Sequence, residues 1–126
     1  MHKIEAALLT PLCIPPDLPA HTREFLTQLD AAISNAAAIA NIDPDSYRMS
    51  AKEYRRVGFE LNARDADRVA DRIELDPRLM VAGTMYNRLT EDITKWFLRK
   101  YITLIEQQAK AARTKAEVLY RSLPAF

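Results

Sequence analysis

The run from Pro77 to Ser122, PRLMVAGTMYNRLTEDITKWFLRKYITLIEQQAKAARTKAEVLYRS, decides the fold. Apolar residues recur through it at three- and four-residue spacing, from Leu79, Ala82 and Tyr86 through Leu89, Ile93, Trp96, Phe97 and Tyr101 to Leu104, Ile105, Ala112 and Leu119. That is the period of an amphipathic α-helix, held with almost no change of phase. The pattern alone leaves one helix or two open over 78–122. Thr90 with Glu91 and Asp92 behind it is a good helix N-terminus, because acidic side chains favour the positive end of the helix dipole. The expected arrangement is two helices, with a break between Gly83 and Thr90 and a last helix over 91–122, roughly 48 Å long and stopped by Pro124. A coiled coil fits poorly: with Phe97, Leu104, Ala111 and Val118 at a positions, the d positions fall on Tyr101, Gln108 and Lys115.

Upstream, Asp76 and Pro77 read as cap and first residue of a helix. A short segment capped by Asn62 or Asp65 precedes it, with Ala66, Val69, Ala70 and Ile73 inside and an end at Leu75. Before that, Ser50 and Glu53 form a capping box, and Met49 and Tyr54 a hydrophobic staple. They predict a helix running to Leu61 or Asn62, with Tyr54, Val57, Gly58 and Leu61 as its inner stripe and the glycine at a helix contact. Pro19 opens a strong helix over 19–42 with Leu26, Leu29, Ile33 and Ala36 on one face, closed by the Asp43, Pro44, Asp45 turn. Residues 1–18 differ: Pro11, Pro15, Pro16 and Pro19 impose extended backbone around Leu12, Cys13, Ile14 and Leu18. So apolar an arm lies across its own bundle or on a neighbouring chain. The expected fold is all-α, a single-domain bundle of four to six helices over 19–126 with a proline-rich arm over 1–18, the 19–42 and 91–122 helices forming its central pair.

Composition removes several function classes. The 126 residues include two glycines, Gly58 and Gly83, so glycine-rich phosphate loops and tight hairpins are not built. With Cys13 alone, no intrachain disulfide forms. The longest uncharged run, Ala6–Pro16, is short and broken by prolines, and the start of the chain runs into Glu5 without a cleavage pattern. A cytoplasmic location without a membrane span is expected. The net charge of +1 conceals a gradient, since residues 95–126 carry seven basic and two acidic side chains.

No catalytic, cofactor or metal site is expected. His2, Cys13 and His21 lack ligand spacing. Cys13, far from any cation, reads as a small buried hydrophobe. The carboxylates from Asp65 to Asp76 alternate with arginines, as on a solvated helix face. Ser50–Leu75 resembles a helix-turn-helix, but its second helix carries the wrong charge for phosphates. The last helix is the better basic surface: Lys95, Arg99, Lys110, Arg113 and Arg121 share a face with Glu106 and Glu117, which supply i,i+4 partners. Trp96, Phe97 and Tyr101 read as core. Phe59 and Leu98 fall off their inner stripes and, with Leu12, Ile14 and Phe126, are candidate partner-binding residues. These features point to a non-enzymatic protein-protein interaction module, an adaptor, inhibitor or small helical subunit that binds another protein or itself. The alternative is a small nucleic-acid-associated protein using the basic C-terminal helix.

Overall fold

The computed structural model describes residues 9–40 and 42–124, and among them the fold is all-α. Five helices follow in order: α1 (Ala20–Ile39), α2 (Pro44–Arg56), α3 (Glu60–Leu75), α4 (Arg78–Arg88) and α5 (Asp92–Arg121). The 78–122 pattern is therefore two helices, parted at Leu89, whose extended backbone (φ −80°, ψ 143°) ends α4. At the start of α4, the Asp76 carboxylate accepts the Arg78 backbone N–H at 2.9 Å, the capping bond that Asp-Pro predicts.

The same signal corrects the start of α2. The helix begins at Pro44 rather than Ser50, because Asp43 caps it, accepting the Asp45 N–H at 3.0 Å and the Ser46 hydroxyl at 3.3 Å. Ser50 lies exposed within the helix, and Glu53 pairs with Arg56 instead of reaching back to a cap. The helix also ends earlier than expected. Gly58 takes φ 89°, the Phe59 N–H donates to the Tyr54 carbonyl at 2.8 Å, and the Gly58 N–H donates to that of Arg55 at 3.2 Å. This is a Schellman stop, so Gly58 is needed for its left-handed backbone and not for a helix contact. Tyr54, Val57 and Leu61 are consequently exposed, and the face buried between α2 and α3 is lined by Ala51, Ala63 and Ala66.

α2 and α3 form an antiparallel hairpin. Arg48, early in α2, reaches Asp67, Asp71 and Glu74 of α3, while Arg55, late in α2, reaches Glu60 and Asp67. Small side chains let the two helices approach closely, and ion pairs bracket them on the solvent side. The Arg48 guanidinium pKa is raised, first by its hydrogen bond to Asp71 and then by that to Glu74.

The main core lies elsewhere. Leu26 and Ile33 of α1, Leu79 and Ala82 of α4, and Leu98, Tyr101, Leu104 and Ile105 of α5 form one buried cluster. Each large aliphatic side chain in it contributes about 1.5–3 kcal/mol by leaving water. The expected central helices α1 and α5 meet in this core, and α4, the shortest helix, packs against both and against α3, with Leu79 and Ala82 joining the cluster beside them. Ala37, Ile42 and Ile73 make a second cluster that joins the hairpin to the rest. Residues 9–18 lie across this same bundle: Leu12, Ile14 and Leu18 pack on the main core and Leu9 on the second. Among the described residues no helix is long and apolar enough to cross a membrane.

Candidate functional site

Asp30 sits in the middle of the buried face of α1, between Leu26, Ile33 and Ala37. A carboxylate there needs partners, and two other helices and the arm supply them. Its Oδ1 accepts from Arg78 Nη1 at 3.1 Å and from the Tyr101 hydroxyl at 2.8 Å, and its Oδ2 accepts the Leu12 N–H at 3.2 Å. Arg78, only 2% exposed, grips Asp76 with two further bonds, Nε to Oδ1 at 3.0 Å and Nη2 to Oδ2 at 2.7 Å. Burial is the largest single influence and opposes the arginine's charge, but the hydrogen bond to Asp76 together with the charge of Asp76 and the neighbouring Tyr101 and Asp30 outweighs it, and the pKa is raised. Tyr101, fully buried, has a pKa pushed far above the ordinary tyrosine value, first by burial and then by its hydrogen bond to Asp30. Each nitrogen of the Arg78 guanidinium has a partner, and among the described residues no buried side-chain polar atom lacks one. The network fixes how α1, α4 and α5 meet; its phenol keeps its proton.

Two surfaces remain open around this core. The first is a cleft of about 550 Å³ where α4 faces α3 and α5. Val69, Leu79, Met80 and Ile102 give it apolar walls, and Gly83, Asn87 and Arg99 line it as well. Arg72 and Glu106 cross it as an ion pair at 3.5 Å. Arg99 lies over the Tyr86 ring, 5.6 Å from its centroid, and donates to the Tyr86 hydroxyl, while Lys95 lies 5.3 Å from the same centroid.

The second is the free end of α5. Residues 110–121, the last twelve of this helix, are all exposed. At 1.5 Å per residue, this segment extends about 18 Å. Ala112, Ala116, Leu119 and Leu123 prolong the stripe that Leu98, Tyr101, Leu104 and Ile105 begin, and Leu119 is 60% exposed. Val118 and Tyr120 flank it, also exposed. Lys110, Arg113, Lys115 and Arg121 against Glu117 give the segment a net charge of +3.

Comparisons with protein-family models, curated proteins and solved structures return no match. The geometry therefore carries the functional argument alone.

The expected site residues separate on this geometry. Of the basic face, Lys95 and Arg99 are engaged with Tyr86, whereas Lys110, Arg113 and Arg121 lie exposed on the free end. Among the described residues the expected i,i+4 pairs on α5 do not form; Glu106 turns to Arg72 across the cleft. Leu98 is 1% exposed and belongs to the main core, so it offers no partner surface. Trp96, which the periodicity puts in the core, is instead 53% exposed and packs edge-on against Phe97 with ring centroids 4.9 Å apart. Leu12 and Ile14 are half-buried on their own bundle. Phe59, 57% exposed at the hairpin turn, remains a surface residue, and Phe126 lies outside the described residues. Cys13 is exposed rather than buried, because its backbone follows the arm's surface track and its N–H donates to Gln108 Oε1 at 2.7 Å. His2 also lies outside the described residues, and among those described no group of histidine, cysteine, aspartate or glutamate is placed to hold a metal ion.

Proposed function

We propose that the chain is a non-enzymatic protein-protein interaction module of the cytoplasm, and that its contact element is the free end of α5 with the two residues that follow it, residues 110–123. The observation that carries this reading is the apolar stripe of Ala112, Ala116, Leu119 and Leu123, which continues the buried face of the helix with no cover among the described residues. A helix segment of some twelve residues is marginal in water without tertiary packing, so docking a partner would both cover the stripe and hold the helix. The net +3 charge selects an acidic partner and disfavours a second copy of the same end. The occupant is thus an acidic amphipathic helix of another protein, laid along the stripe. Exposed leucines favour this over nucleic acid, since phosphate contacts would leave Leu119 and Leu123 in water.

The test uses a fluorescent peptide of leucine and glutamate in heptad order, a scrambled peptide of equal composition, and a short DNA duplex. Saturable binding of the ordered peptide is expected, weakened at least tenfold by Leu119→Ser with Leu123→Ser, and weakened by salt. Both residues are exposed, so the variant keeps the fold. Equal binding of the scrambled peptide, or indifference to the double substitution, overturns the proposal. Low-salt DNA binding lost on changing Lys110, Arg113 and Arg121 to glutamate replaces it with the nucleic-acid reading. A dimer mass in light scattering that the double serine variant abolishes replaces it with self-association.

A further inference from the structure

Gly83 is a glycine with no reason inside the described fold. It lies in the middle of α4, where its backbone is helical and needs no left-handed freedom. Glycine is the weakest helix former after proline. No close helix approach explains it either, because a Cβ built there meets nothing within 4 Å among the described residues. The other glycine of the chain, Gly58, has its positive φ. What Gly83 borders is the cleft between α3, α4 and α5. The cleft's size, about 550 Å³, lies within the range of small-molecule sites.

The chemistry of the cleft narrows the ligand. Met80 and Ile102 offer apolar walls, and the Arg72–Glu106 pair cancels its own charge. Arg99 is left as the uncancelled cation. It spends one donor on the Tyr86 hydroxyl, and a guanidinium carries five. Asn87 lines the same cleft. We infer that this cleft binds an apolar small molecule bearing one carboxylate, its body over Gly83 between Met80 and Ile102, its carboxylate on Arg99. This site is separate from the α5 end and does not depend on it.

The probes are 2-naphthoate and its neutral amide, followed by amide shifts in ¹H–¹⁵N spectra of the full chain. Saturable shifts at Gly83, Thr84, Asn87 and Ile102 are expected with the carboxylate, and at least tenfold weaker binding with the amide. Gly83→Leu puts a side chain into the cleft and a better helix former in α4, so binding should fall at least tenfold while Tm stays level or rises. Gly83→Ala, with less bulk, should lie between the parent and the leucine variant. Arg99→Gln should bring carboxylate binding down to that of the amide. No saturable shift at millimolar probe, shifts confined to the end of α5, or parent-like binding by both Gly83 variants each overturn the inference. Equal affinity for acid and amide overturns the assignment of Arg99.

Discussion

The bundle is held together in two different ways. Where α1, α4 and α5 meet, large side chains are buried around an arginine with two carboxylates and a phenol, every group satisfied. Where α2 meets α3, the buried residues are alanines and the charges are all at the surface. Distance from water decides what each set of charges is worth. A buried cluster costs a great deal to assemble and more to leave half-made, whereas an exposed ion pair is screened and adds little. The first junction therefore fixes a unique geometry, and the second is a trimmable edge.

The largest expected effect comes from Arg78→Leu. It strands Asp30 and Asp76 without their cation and should cost about 3–5 kcal/mol, read from urea denaturation. A cost no larger than that of removing an exposed arginine would break the comparison outright. Next in size is the tyrosine. Because the folded pKa of Tyr101 is raised, the native state holds that proton where the unfolded chain loses it. Its contribution is complete below the unfolded value of about 10 and is lost as pH rises above it. Stability should thus fall in alkali, with one of the five tyrosines ionising only as the fold opens, followed by tyrosinate absorbance. Tyr101→Phe should lower stability by about 1.5–3 kcal/mol at neutral pH and flatten the alkaline decline. Arg48→Gln should have the smallest effect, a slight drop in Tm at low salt that vanishes in about 1 M salt, where the screening length is about 3 Å. A drop that survives salt would show that the hairpin's charges act as the buried ones do.

Much of the framework was legible in residue order. Pro19, Leu75, Glu91 and Pro124 mark helix ends that hold to within a few residues, because capping and proline sterics are local. Ser50 misled because two start signals competed, and an aspartate directly ahead of a proline won over a capping box seven positions on. Leu98 and Trp96 exchanged roles because α5 carries more apolar residues than one face can bury, and only the position of α1 and α4 selects among them. The network left one sign, a lone aspartate in the middle of the apolar stripe of α1. Residues 30, 78 and 101 are too far apart in the chain for spacing to pair them. The cleft left a sign too, a glycine where a helix gains nothing from one.

The hold on the arm has a consequence for synthesis. Cys13 and Pro11 are fastened to Gln108, which donates to the Pro11 carbonyl at 3.0 Å, and Leu12 is fastened to Asp30. On the ribosome, residues 11–13 emerge long before residue 108 is made. At roughly 5–20 residues per second, the wait lasts some seconds. During that time this proline-rich stretch lacks the Gln108 part of its seat, and a chain released short of α5 can never provide it. The arm is translated well before the helix that completes its seat, and its docking on Gln108 waits until α5 has been made.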